Sequence, residues 1–269
     1  MSVGKKAAEL AAKEVYTFED LVSVVEVLRS EGGCPWDMEQ DHHSIRDDLI
    51  EETYEVIEAI DNDDPVLLRE ELGDVMLQVV FHARIEAEEG RFDIDDVAND
   101  ICVKLIHRHP HVFGDLSVSG SDQVLSNWEK IKSDEKERVT VTDKLKAIPS
   151  MLPALMRAAK VGKKASCFDF ATAEDVMDKI AEEMVEVSEA MQEGDKGAIE
   201  EEIGDLLLSV TSLCRKLGVK PEQALQNATD KFICRFEQIE NEVIKSGKDI
   251  NSMEMSELDQ LWDEIKHKI

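Results

Sequence analysis

Residues 70–77 read EELGDVML, and residues 201–208 read EEIGDLLL. Each stretch follows a second acidic cluster, EETYE at 51–55 and EEMVE at 182–186. Glu52 and Glu183, Glu55 and Glu186, Glu71 and Glu202, and Asp74 and Asp205 are all pairs separated by 131 residues. Residues three apart on a helix share a face, so Glu52 points with Glu55 and Glu71 with Asp74. A short turn between the two helices makes them antiparallel neighbours. If those faces meet, four carboxylates converge. They cannot all stay ionised without compensation. A divalent cation supplies it, and oxygen-only ligation suits Mg²⁺ or Mn²⁺ rather than Zn²⁺. The same holds for Glu183, Glu186, Glu202 and Asp205. A single E-x-x-E is ordinarily a solvated helix face. Two such clusters across a turn, repeated while their neighbours change (TY against MV, DVML against DLLL), favour a site.

The elements that must position these acids read as helices throughout. Phe18, Leu21, Val22, Val25 and Leu28 recur at helical spacing behind Thr17, a candidate N-cap. Further helices are expected over 45–60, 66–88 after Pro65, and 93–106. The second half repeats the pattern at 152–165, 174–193, 198–217 and 221–245, with a turn at Gly194 and Gly197. Gly73 and Gly204 lie inside helices, where glycine costs about 0.5–1 kcal/mol against alanine, and imply close approach of another backbone or a substrate. Val75, Leu77, Val79, Leu206, Leu207 and Val210 are expected to anchor these helices in core. NWEKIK at 127–132 and LWDEIK at 261–266 extend the repeat. The chain therefore reads as a tandem duplication, residues 1–138 and 139–269, joined near the charged, Pro149- and Pro153-containing stretch. Strand alternation is absent. Isolated helix pairs bury little core, so each half is expected to complete a four-helix-type bundle by dimerising.

Sixty acidic against 31 basic side chains give a formal charge of −29. Nonspecific binding to nucleic acid or anionic membrane is not expected of so acidic a chain, although metal ions can bridge it to phosphates. Five scattered cysteines without C-x-x-C spacing read as cytoplasmic thiols. MSVGKKAAELAAKEV has no long apolar run, so neither a signal peptide nor a membrane span is expected. The histidines of HRHPHVF suit no regular metal site and read as a structured turn.

EExxE followed by ExxD resembles the all-α nucleoside triphosphate pyrophosphohydrolase superfamily, and the resemblance narrows to the MazG family. GGCPWDMEQDHHSIRDDLIEETYEVIEAI, EELGDVMLQVVFHARIEAEEGRFDIDDV and KLIHRHPHVFGD are similar to its first half. LPALMRAAKVGKKA, EEMVEVSEAM, EEIGDLLLSV and DKFICRFEQIE are similar to its second. The resemblance implies an α-helical dimer that hydrolyses a nucleoside triphosphate to the monophosphate and pyrophosphate. Water attacks the α-phosphorus with two or more Mg²⁺ ions assisting. A spare glutamate would take the water proton: Glu182 or Glu201 in half two, Glu51 or Glu70 in half one. Lys231 and Arg235 match the family's phosphate-binding DKFxxRF positions. Lys104 and Arg108 repeat their spacing, and Lys179 is a weaker candidate. Trp262 resembles a family tryptophan near the nucleotide, where an indole can stack on a base. Half two lacks CPW at 165–170, so the halves differ, and family precedent makes half two the main catalytic copy. Narrower dUTP or phosphoribosyl-ATP hydrolases fit the duplication poorly. A non-catalytic helical cation-binding protein would bind Mg²⁺ and release no pyrophosphate.

Overall fold

The computed structural model describes residues 2–135 and 140–266. Helices form every regular element among them, and no strand occurs there. The chain divides into two compact units, Met1–Lys132 and Ser133–Ile269. The expected join at 138 and 139 lies outside the described residues.

The first unit contains α1 (Val3–Ala11), α2 (Phe18–Leu28), α3 (Pro35–Glu39), α4 (Arg46–Asp61), α5 (Pro65–Glu88), α6 (Ile94–Arg108), α7 (Pro110–Phe113) and α8 (Ser121–Asp134). Thr17 caps α2 in a capping box with Asp20, so orphan amides at the helix start are satisfied from both sides. Asp64 accepts from the amides of Val66 and Leu67, and Pro65 opens α5 with its φ already set. These two devices make the turn between α4 and α5 short, and the two helices pack along each other. The core joins Val25 of α2 to Val80, Phe81 and Ile85 of α5, with buried Ile45 just before α4. HRHPHVF includes the short α7.

Two polar anchors hold the segment leading into α4 against α5. Buried Arg29 donates to Glu88 and to the carbonyls of Asp37 and Gln40, and its guanidinium lies 5.0 Å from the Phe81 ring centre. His42, at the entry to α4, meets His82 of α5 with facing Nδ1 atoms 2.7 Å apart, so one of the two carries the shared proton. Its Nε2 lies 2.5 Å from Glu86, which Arg91 also holds. The CPWD loop and the start of α4 are thus tied to the C-terminal half of α5.

The second unit contains α9 (Val141–Lys146), α10 (Ala154–Lys164), α11 (Ala173–Glu193), α12 (Lys196–Lys216), α13 (Pro221–Lys245) and α14 (Met255–Lys266). Thr172 and Asp175 form a capping box on α11, and Gly194 ends it at φ 73°, a left-handed conformation that glycine adopts without a Cβ penalty. Gly197, expected in the turn, instead lies in the first turn of α12, where Asp195 accepts its amide. The Asx cap starts the helix two residues earlier than the apolar pattern does. Arg215 donates two hydrogen bonds to Asp169, and Lys216 pairs with the same carboxylate at 3.0 Å, fastening the loop that replaces CPWD. The core lies between α13 and α14 around Ile239, Val243 and Ile265, with Trp262 packed against it.

One expectation about packing is corrected. Val79, Leu207 and Val210 are exposed, and the buried positions of α12 are Ser209 and Thr211. Helical spacing reports which residues share a face. It does not report whether the chain itself supplies the surface that covers that face.

Candidate metal and nucleotide site

The α4–α5 and α11–α12 pairs each bring three glutamates together. In the first unit the carboxylate oxygens of Glu52, Glu55 and Glu71 can lie within 4.8 Å of one another, and in the second so can those of Glu183, Glu186 and Glu202. A hard cation with oxygen ligands at about 2.1 Å puts neighbouring ligands about 3 Å apart and opposite ones about 4.2 Å apart. Both groups fit that geometry, and an all-carboxylate donor set fits Mg²⁺ or Mn²⁺ better than a thiophilic ion.

The electrostatics agree with the geometry. Glu71 is pushed up to about 6 by burial, by its hydrogen bond with Glu55, and by the charges of Glu55, Glu70 and Asp74. Glu52 is raised by burial and by the charges of Asp74 and Glu55. Glu186 is raised by burial, by its hydrogen bond with Glu183 and by the charges of Glu183 and Glu202, against the pull of Lys179. Without a cation, the mutual repulsion of these carboxylates makes them harder to ionise.

The aspartates stand apart from the two triplets. Asp74 is half-buried and close enough to raise Glu52 and Glu71, whereas Asp205 is exposed on α12. Three of the four expected carboxylates in each unit thus come within ligand distance of one another, with the aspartate one helical turn beyond the glutamate of its own helix. Gly73 and Gly204 are not explained by close backbone approach: a Cβ at either position meets nothing within 4 Å.

Lys179 joins the second group directly. Its Nζ is 2.8 Å from Glu182, 2.9 Å from Glu183 and 4.0 Å from Glu186. These hydrogen bonds, to Glu182 and then Glu183, raise its pKa. Glu182 and Glu201 are exposed at the rim of this cluster.

The remaining candidates lie on other helices. Lys231 is exposed on α13. Arg235, one turn later, has a guanidinium carbon 5.8 Å from the Trp262 ring centre, and its buried Nε has no hydrogen-bond partner. Trp262 also meets Phe232, with ring centres 5.2 Å apart. Neither cation forms an ion pair with Glu183, Glu186 or Glu202 among the described residues. The first unit carries a parallel arrangement, with buried Arg108 5.3 Å and Lys132 4.5 Å from the Trp128 ring centre. Lys104 is exposed.

Sequence reasoning missed the half-buried residue one turn before Glu52 in the first unit. It is Asp48, at the position that Lys179 holds 131 residues later. The offset that paired the glutamates would have found it. Buried Gln78, one turn beyond Asp74, was also passed over, and its Oε1 has no partner.

A MazG nucleotide pyrophosphohydrolase domain matches residues 40–113 and 171–239. The chain belongs to the MazG family. The two MazG segments contain both glutamate triplets, both aspartates and all the candidate lysines and arginines, but neither Trp128 nor Trp262. The MazG chain is 45% identical over 251 residues to the nucleoside triphosphate pyrophosphohydrolase/pyrophosphatase MazG of Thermotoga maritima, covering 93% of this chain and 95% of that one. It is 42% identical over 253 residues to a nucleoside triphosphate pyrophosphohydrolase of Escherichia coli, covering 92% and 96%. It is also 41% identical over 267 residues to the Bacillus subtilis protein YabN, covering 97% of this chain and 53% of that longer one.

Proposed function

We propose that this MazG protein hydrolyses nucleoside triphosphates to the monophosphate and pyrophosphate with Mg²⁺, and that the second unit is the main catalytic copy. The observation that carries this reading is the meeting of three carboxylates from α11 and α12 beside a lysine. Glu183, Glu186 and Glu202, with Asp205 drawn in from the rim, would hold the divalent ion. That ion, with Mn²⁺ as the alternative, supplies Lewis acidity and offsets triphosphate charge. Attack at phosphorus asks little covalent chemistry of the protein beyond positioned charge. Lys231 and Arg235 are assigned to the phosphates, because the unpartnered Arg235 Nε is a donor in need of an acceptor. Trp262 is assigned to the base. Glu182 or Glu201 takes the proton of the attacking water. In the first unit Glu52, Glu55, Glu71 and Asp74, with Lys104 and Arg108, form a weaker copy.

A homodimer belongs to the same proposal. Met184, Val185, Leu207 and Leu208 are exposed on α11 and α12, as are Ile57, Leu72 and Met76 on α4 and α5. Apolar faces of that extent on paired helices favour a second pair packed against them. The five cysteines are unpaired, which fits a cytoplasmic setting. No helix among the described residues is long and apolar enough to cross a membrane. Pyrophosphate release measured over a panel of ribo-, deoxy- and modified nucleoside triphosphates tests the whole reading. Release confined to dUTP or phosphoribosyl-ATP would establish the narrower enzymes. Mg²⁺ binding without any release would establish a non-catalytic cation-binding protein.

A further inference from the structure

The two units compensate the same carboxylates differently. Lys179 stands one turn before Glu183 and contacts Glu182 and Glu183 at 2.8 and 2.9 Å, with Glu186 at 4.0 Å. Its ammonium thus takes up an oxygen of Glu183, one of the three carboxylates that a hard cation would draw together. Asp48 stands one turn before Glu52, and no lysine or arginine among the described residues pairs with Glu52, Glu55 or Glu71. An ammonium and a divalent ion repel each other and compete for the oxygens of Glu183, so each weakens the other's hold there. A flexible four-carbon stem lets the ammonium leave without moving α11.

We propose that Lys179 is the internal counter-cation of the second site, exchanged for the divalent ion when the ion binds and thereby released toward the anionic ligand. The first unit, with Asp48 in its place, binds its ion with no exchange. This rests on the reading of Glu183, Glu186 and Glu202 as metal ligands. The consequence is a division of labour: the second site gives up some metal affinity to keep its carboxylates assembled, and recovers it when phosphates arrive to take up the displaced charge.

The test is Mn²⁺ binding to the full chain without nucleotide, read from the electron paramagnetic signal of the free ion. A Glu52→Gln/Glu71→Gln background silences the first site. In that background Lys179→Met is expected to bind Mn²⁺ about tenfold more tightly, since removing one competing charge is worth about one pKa unit. The same variant is expected to bind a non-hydrolysable triphosphate analogue more weakly. A lysine with a merely structural role would move both affinities the same way. Conversely, Asp48→Lys, with Glu183→Gln silencing the second site, is expected to weaken Mn²⁺ binding at the first by a similar factor. Unchanged or weaker Mn²⁺ binding in Lys179→Met overturns the exchange while leaving the metal site in place. Mn²⁺ binding at the second site that survives Glu183→Gln removes the metal-site reading, and the exchange with it.

Discussion

In the first unit the position one turn before the first glutamate is Asp48, and in the second it is Lys179, which contacts the glutamates. The backbone that presents them is the same in kind: a helix, a short turn closed by an aspartate, and a second helix packed along the first. What differs is the source of positive charge. Beside Glu52, Glu55 and Glu71 no ammonium stands among the described residues, and burial with the neighbouring carboxylates raises Glu71 to about 6. Around Glu183, Glu186 and Glu202 an ammonium supplies part of it. A duplicated scaffold can therefore keep its ligand geometry while changing how the site is held, because one side chain at the rim sets the charge balance without entering the packing.

The largest expected effect separates the units by chemistry. Glu183→Ala should lower pyrophosphate release by about a thousandfold or more, the scale on which positioned electrostatics act, while the helical circular dichroism spectrum stays intact. Asp205→Ala should lose about a hundredfold. Full activity there would show that the exposed aspartate is never recruited. Arg235→Ala comes next, with KM for the triphosphate rising about tenfold to a hundredfold, the worth of a hydrogen bond to a charged group. Titrating substrate under steady-state conditions checks it. Glu52→Ala and Asp74→Ala should each cost less than about tenfold. A larger loss than in Glu183→Ala would reverse the ranking of the two units.

The smallest effect concerns stability against pH. Glu71 is raised from 4.5 to about 6 in the folded protein. Between those values the folded chain binds a proton that the unfolded chain has released, so this group makes the fold progressively less stable as pH rises through the interval. Glu71→Gln removes that loss. Without divalent cation its Tm should exceed that of the wild type above neutral pH, and the difference should close below about 4.5. Added Mg²⁺ should reverse the order, since only the wild type keeps the ligand. Thermal melts at several pH values, with and without Mg²⁺, read this out.

Much of the molecule was legible in the residues alone. Thr17, Asp64 and Pro65 mark helix starts by local chemistry, and local chemistry needs no partner to be read. The separation of 131 residues made the duplication visible, and the i, i+3 spacing anticipated which glutamates come together in each unit. The Asx cap of Asp195 was also local, yet the more obvious Gly194 and Gly197 obscured it.

The amino-acid sequence by itself determined the helices, the repeat and the inward-facing acids, because caps, periodicity and spacing act over a few residues. Only the tertiary structure decided that three carboxylates in each unit come within ligand distance, that Arg235 lies over the Trp262 ring, that Arg29 and His42 hold the segment leading into α4, and that Lys179 contacts the cluster. Those outcomes depend on how far one helix turn reaches toward its neighbour and on which residues distant in the chain share a low-dielectric space. Neither is encoded in any short window.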